Sequence, residues 1–140
     1  MKSSARALAM AAGCIVSLAT ALPAAAQINI ACPAGQVSAI VRMSAIKATG
    51  SMDGFKEAAR DHLKWYRDHG YTTNEITSYP VMETKDQGKT WAVSQTQVFS
   101  IHKNDPGVPR EKIDAAWNAY VAKYRANSDI TSETVICMPK

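Results

Sequence analysis

The chain has 140 residues, of which 16 are Lys or Arg and 12 are Asp or Glu, a length that suits one globular domain. Apolar residues make up 46% of the chain and charged residues 20%, which excludes a disordered tail, and 7 Gly and 6 Pro exclude a collagen-like chain. The formal net charge of +4 leaves nucleic acid and membrane surfaces open as partners until the positions of the charges are considered.

The first 26 residues have the pattern of a secretory signal peptide. Lys2 and Arg6 precede an apolar, Ala-rich run, and Ala24 and Ala26 are the small residues of a cleavage site. Two alternatives fit less well: polar residues and a proline interrupt the run of a membrane anchor, and a lipoprotein cleaved before Cys14 would lack the usual bulky aliphatic residue three positions earlier. We therefore expect one mature domain of residues 27–140, periplasmic or secreted, without a stable membrane anchor.

Cleavage changes the charge balance of the chain. Losing Lys2 and Arg6 lowers the formal net charge from +4 to +2. The remaining basic residues alternate with acids, as in Lys56-Glu57, and form no basic run. The sequence therefore argues against a nucleic-acid partner.

Two cysteines remain near the ends of the exported domain. Cys14 leaves with the signal, and Cys32 and Cys137 are most simply joined in one disulfide in an oxidising compartment. A redox or metal-binding pair is the alternative, but the chain has no C-x-x-C motif and no nearby His to share an ion.

The first half of the domain predicts a strand, a helix and a second strand. Residues 36–46 alternate at period 2, and Ser51 is a good N-cap for a helix that runs to about His69 and ends at Gly70. Five residues spaced for one helical face predict its core stripe: Met52, Phe55, Ala59, Leu63 and Tyr66. Residues 74–84 predict a weaker strand, in which Pro80 indicates an edge position or a bulge.

The second half predicts a hairpin partner, another helix and a last strand. Residues 91–102 return after the turn at residues 85–88, and Pro109 is placed to begin a helix that ends near Asn127. Its predicted stripe includes Trp117, Tyr120 and Tyr124, and residues 130–138 predict a fourth strand.

The order β-α-β-β-α-β predicts an α+β, ferredoxin-like two-layer sandwich whose antiparallel sheet has the strand order 4-1-3-2. That order sets the first and last strands side by side and antiparallel, so the start of one lies beside the end of the other. Cys32 and Cys137 fall at those positions, which supports the topology independently.

This element pattern, over residues 36–138, and the segment Gly-Phe-Lys-Glu-Ala-Ala-Arg-Asp-His-Leu-Lys-Trp-Tyr at residues 54–66 resemble the dimeric α+β barrel superfamily. That group contains antibiotic-biosynthesis-type monooxygenases, stress-responsive barrel proteins and related exported proteins. The resemblance implies a homodimer that pairs two sheets and a small organic ligand between helices and sheet. Apolar residues on both faces of the first strand, such as Ile40 and Val41, suit a sheet covered on both sides.

His62, Trp65 and His69 lie on a helical stripe beside the predicted core stripe. This position makes His62 the candidate catalytic acid-base or hydrogen-bonding group at a pocket edge and Trp65 a candidate stacking platform for a flat ligand. Surface or seam packing is the alternative for both, and His69 also suits the carboxyl end of a helix without any ligand role.

The third strand places Gln95 and Gln97 on the same face as Phe99, where two amides either meet backbone or partner groups or line a polar ligand pocket. Arg42 lies on the first strand, where a dimer salt bridge and anion recognition are both open. The three His have no ligand spacing, so we predict neither a metal site nor a cofactor.

The sequence favours an exported domain that binds a small apolar or aromatic molecule, because no nucleophile elbow, dinucleotide motif, P-loop or zinc-protease motif is present. Two alternatives stay open. One is a cofactor-independent oxygenase or isomerase with His62 as base, and the other is an envelope interaction module that uses its sheet as the partner surface.

Overall fold

The structure, a computed structural model, describes residues 30–140; the predicted signal peptide of residues 1–26 lies outside them. The described chain forms four strands, two α-helices and one short 3-10 helix. In chain order these are β1 (Gln36–Ile46), α1 (Met52–Asp68), β2 (Glu75–Glu83), β3 (Ala92–Lys103), the 3-10 helix (Arg110–Lys112), α2 (Ala115–Asn127) and β4 (Ser128–Pro139).

The four strands form one antiparallel sheet in the order β2-β3-β1-β4. The prediction of an α+β domain with a four-stranded antiparallel sheet and two helices is confirmed, and the arrangement is compatible with a ferredoxin-like fold. Ile40, Arg42 and Ser44 of β1 line the same space as both helices, so alternate β1 residues face the helical layer. The other sheet face carries Met43 and its β3 neighbour Phe99.

The β2 strand is an edge strand with a register shift between Pro80 and Met82, as the proline predicted. Proline has no backbone N–H, so the ladder tolerates it only at an edge or bulge. Its β3 partner also carries an irregular stretch, because Pro80 pairs with Val98 whereas Met82 pairs with Val93.

The α1 helix begins where the sequence predicts, and Phe55 and Tyr66 are buried as predicted, but the buried face is rotated from the predicted one. The Ser51 Oγ atom accepts a hydrogen bond from the backbone N–H of Gly54 at 2.9 Å. The core stripe prediction was wrong in detail: Ala59 and Leu63 are only half-buried, whereas three residues of the neighbouring stripe are buried. They are Ala58, His62 and Trp65. The α2 helix packs beside α1 and covers this stripe. Trp65 and Tyr66 of α1 and Tyr120 of α2 form the core cluster.

The α2 helix begins later than predicted, at Ala115, and the predicted start at Pro109 was wrong. Pro109 instead precedes the 3-10 helix and makes no side-chain cap. The Asp114 carboxylate accepts from the backbone N–H of Trp117 at 2.8 Å, so this N-cap decides where the α-helix starts. Ile113 therefore falls outside the helix and is 38% exposed.

Cys32 and Cys137 form a disulfide, as predicted, with their Cα atoms 5.6 Å apart. The antiparallel pairing of β1 with β4 places Cys137 opposite Ser38, close to the start of β1. The bridge therefore joins the segment before the first strand to the last strand.

Candidate functional site

A cavity of about 510 Å³ lies between the two helices and the sheet. Its walls combine aromatic rings from the helices with aliphatic and polar side chains from the strands. Its main lining side chains are Ile40, Arg42, Ser44, Phe55, His62, Tyr66, Ile76, Ser100, His102, Asp105, Trp117, Tyr120, Val121, Tyr124, Arg125, Ser128, Asp129 and Ile130. This volume is within the range of roughly 300–1,000 Å³ typical of small-molecule sites.

Small residues on the strands leave this space open. Three serines line the cavity, one on each of three strands: Ser44 on β1, Ser100 on β3 and Ser128 on β4. A Leu or Ile side chain at these positions would reach the helices. Ser44 and Ser128 are also buried, with 2% and 8% of their surface exposed. Large apolar side chains normally fill the space between the helices and the sheet of a protein. The small serine side chains therefore explain why a cavity remains here.

His62 of α1 lies in the wall of the cavity among aromatic rings. Its imidazole stacks on Tyr120, with ring centroids 4.3 Å apart and planes 18° apart, and meets His102 edge to face at 5.3 Å. Burial, then the charges of His102 and Arg42, lower the pKa of His62 to about 3. His62 is therefore neutral near pH 7. Within residues 30–140 neither ring nitrogen forms a hydrogen bond, so both can pair with a molecule in the cavity.

One end of the cavity carries a fixed hydrogen-bond chain. Arg67 Nη1 donates to Asn74 Oδ1 at 2.7 Å, which turns the Asn74 amide nitrogen toward His102 Nε2 at 3.2 Å. His102 Nε2 then accepts a hydrogen bond from the Asn74 amide. The proton of the neutral His102 ring is therefore on Nδ1, which lies 3.6 Å from the Asp105 carboxylate. Tyr66 donates to the same carboxylate at 3.1 Å. Burial lowers the pKa of His102 against the opposing effect of Asp105, and the Asn74 contact occupies its basic nitrogen.

Tyr120 supplies an unpaired hydroxyl. It is 3% exposed, and its hydroxyl has no hydrogen-bond partner within the described residues. Burial, then the neighbouring Tyr66 and Tyr124, raise the pKa of Tyr120, so the group remains a neutral phenol able to donate. A buried hydroxyl without a partner costs stability. Because this oxygen is fully buried, Tyr120 contributes its ring, and not its hydroxyl, to the cavity wall.

The exposed lining residues mark the mouth of the cavity. Arg125, Asp129 and Ile130 are exposed and lie where α2 ends and β4 begins, and Ile130 is 56% exposed. The pairing of β1 with β4 shifts register between Met43 and Ser44 beside this point. Arg42 reaches the same side and pairs with Glu133 of β4.

The four residues predicted to act at a site are not brought together. His62 lines the cavity, but Trp65 is buried in the helical core with its indole N–H donated to Asp114 at 2.8 Å, and it is not among the lining residues. Gln95 and Gln97 are exposed on β3 outside the cavity. Gln97 pairs with Ala45 and so faces away from the helices.

Most of the lining residues were not predicted as site residues. Tyr120 is a core residue as predicted, with Trp117 and Tyr124 packed against the core cluster, and the rings of all three also line the cavity. The available signal was the helix-facing side of β1, where Arg42 and Ser44 interrupt the apolar residues. Polar and small residues on a face that helices must cover indicate a gap or a polar pocket.

The described residues contain no group of three or more His, Cys, Asp or Glu side chains placed to hold a metal ion. Of the helices in residues 30–140, none is both long and apolar enough to cross a membrane.

No protein-family model and no curated protein matches the chain. Among solved structures, a phage SAM lyase in its apo state aligns with a TM-score of 0.31 and 9% identity, covering 79% of this chain and 96% of that chain. A phage SAM lyase in complex with S-methyl-5′-thioadenosine gives a TM-score of 0.29 at 10% identity, covering 80% and 97%. These TM-scores are too low to support an inference about function.

Proposed function

We propose that this chain is an exported, ferredoxin-like domain of the dimeric α+β barrel type that binds a small aromatic or apolar molecule in the cavity between its helices and sheet. The observation that carries the proposal is the cavity of about 510 Å³, whose wall combines the aromatic rings of His62, Tyr120 and Tyr124 with the accessible ring nitrogens of His62. The disulfide and the sequence of residues 1–26 support a periplasmic or secreted location.

The cavity wall suits a flat ring. His62, Tyr120 and Tyr124 present aromatic faces or edges to the cavity, and the rings of Tyr120 and Tyr124 meet at 87°. Such a wall can hold one planar group by stacking on one ring and edge contact with another. The unpaired ring nitrogens of His62 would then fix the orientation of a hydroxyl or carbonyl on the ligand.

Calorimetric titration with 2-naphthamide, a neutral two-ring probe, tests the cavity. We expect saturable 1:1 binding that Ser100→Phe weakens at least about tenfold, since the new ring fills the space between the layers. The control is Lys56→Phe, which adds the same ring to the exposed surface of α1 outside the cavity lining. Binding that Lys56→Phe weakens and Ser100→Phe does not would refute the cavity as the site.

Mass spectrometry of the small molecules released when the purified protein is denatured identifies the natural ligand. We expect one aromatic or apolar compound in near-stoichiometric amount from the wild type and much less from Ser100→Phe. Equal amounts from both proteins would place the compound elsewhere on the chain.

A second candidate function, cofactor-independent oxygenation or isomerisation, rests on the position of His62 in the cavity wall with both ring nitrogens available. A pKa of about 3 makes its imidazole a weak proton acceptor at neutral pH, which favours binding over catalysis. The released compound is incubated with wild type and His62→Ala in air. Turnover by the wild type alone supports the enzyme, and no turnover by the wild type removes it.

We also propose that the open sheet face pairs two copies of the chain. Exposed Tyr79 on β2 and Ile136 on β4 lie across the sheet, with Met43 and Phe99 between them on β1 and β3. A contiguous apolar face is costly in water and typical of an interface. Light scattering should give twice the chain mass, and Phe99→Lys should give the monomer mass. A wild-type monomer at high concentration would contradict the dimer, and a monomer that pairs only with a foreign chain would favour the interaction module.

A further inference from the structure

We infer that the ligand is an aromatic carboxylate, with its ring inside the cavity and its anionic group at the mouth on the guanidinium of Arg42. This rests on the proposed function and names the chemical class that the cavity selects.

Arg42 stands at the middle of the sheet and at the edge of the cavity. It pairs in register with Ser100 of β3 on one side and Glu133 of β4 on the other, and its side chain is 31% exposed. Its Nε atom donates to Glu133, but within residues 30–140 its two Nη groups make no hydrogen bond. A guanidinium fork with free donors is suited to a carboxylate.

The charge of Arg42 acts on the cavity wall. Burial is the larger cause in each case, but the positive charge also contributes to the lowered pKa of His62 and opposes the raised pKa of Tyr124. These two residues lie on different helices, so the field of Arg42 reaches across the cavity. A negative group that enters this space is attracted to it.

The other charges orient the ligand. Arg125 adds a second cation at the mouth, while the Asp129 carboxylate there is paired with Lys47 at 3.1 Å. At the opposite end Asp105 accepts bonds from Tyr66 and from the backbone N–H of Gly107 at 3.0 Å. With Arg42 paired to Glu133 and Asp129 to Lys47, Arg125 leaves the mouth with a net positive charge, whereas Asp105 makes the opposite end negative. An anion is therefore repelled from that end and attracted to the mouth, so the uncharged ring occupies the interior.

The test compares 2-naphthoate with 2-naphthamide, which has the same ring and no charge, by calorimetric titration. We expect the wild type to bind the carboxylate about tenfold more tightly, as a charge-assisted contact at a half-exposed site allows. Arg42→Gln should bind both probes with the affinity that the wild type has for the amide. Arg42→Lys should keep part of the preference, since the charge remains and the fork is lost.

The control is Arg60→Gln, which removes an exposed cation from α1 outside the cavity lining and should leave the preference unchanged. Circular dichroism and the retained binding of the amide show that each variant is folded. Equal wild-type affinities, or a preference that persists in Arg42→Gln, would overturn the assignment while leaving the cavity proposal intact. No binding of either probe would overturn both.

Discussion

Replacing His62 with Phe should remove a large part of the acid sensitivity of the fold. The imidazole is 8% exposed and has a pKa of about 3 in the folded chain against 6.5 as the ordinary value. The unfolded chain therefore binds a proton that the folded chain rejects, and stability falls as pH drops from about 6.5 toward 3. Each pH unit in this window costs about 1.4 kcal/mol, or about 2 kcal/mol between pH 6.5 and pH 5. The groups facing His62 include His102, Arg42 and Tyr120.

Urea unfolding at several pH values measures this effect. The wild type should lose about 2 kcal/mol more of its unfolding free energy between pH 6.5 and pH 5 than His62→Phe does, since Phe keeps the stacking on Tyr120 and cannot be protonated. Leu63→Ala, the next position along α1, should lower stability at every pH without changing the slope. Equal slopes for the wild type and His62→Phe would refute the account of a buried neutral imidazole.

Three other changes test the packing by the same unfolding measurement. Gly50→Ala should cost about 1–3 kcal/mol, because an added Cβ meets the backbone of Asn127, and an unchanged unfolding midpoint would contradict that close approach. Cys32→Ser breaks the disulfide, which closes a loop whose ends are 105 residues apart, and should lower the free energy of unfolding by up to about 4–5 kcal/mol. Reductant should then cause no further loss of stability in this variant, whereas it should destabilise the wild type. Asp114→Ala removes both the α2 cap and the acceptor of a buried indole N–H, so a loss of about 1–3 kcal/mol is expected, and no loss would contradict the late helix start.

The sequence predicted those elements whose signals are local. The period of β1, the Ser51 cap of α1 and the edge proline of β2 each act over a few residues, and the structure confirms them. The pairing of Cys32 with Cys137 was predictable because two expectations led to it. The expected export places the cysteines in an oxidising compartment, and the predicted strand order brings their positions together. The predicted start of α2 was wrong because proline suits the first turn of an α-helix and of a 3-10 helix alike, and Pro109 precedes the latter. The α-helix starts later, where the Trp117 N–H donates to Asp114.

The cavity depends on long-range packing, which the sequence conveys less directly. Helical periodicity gives the spacing of the buried stripe on α1, but the position of α2 decides that Ala58 and His62 face inward. Likewise, the serines on β1 and β3 become cavity walls only because the helices cover that face of the sheet. His62 was predicted as a site residue from its residue type. The core assignment of Tyr120 is correct, but it gave no sign that its ring also lines the cavity.

Nuclear magnetic resonance contacts between 2-naphthamide and the protein test whether the cavity binds the ligand. We expect intermolecular nuclear Overhauser effects from the naphthyl protons to the rings of Tyr120 and Tyr124 and to the Ile40 methyl groups, all of which line the cavity. Contacts confined to the open sheet face, such as Phe99 and Ile136, or no contacts at saturating probe, would contradict it.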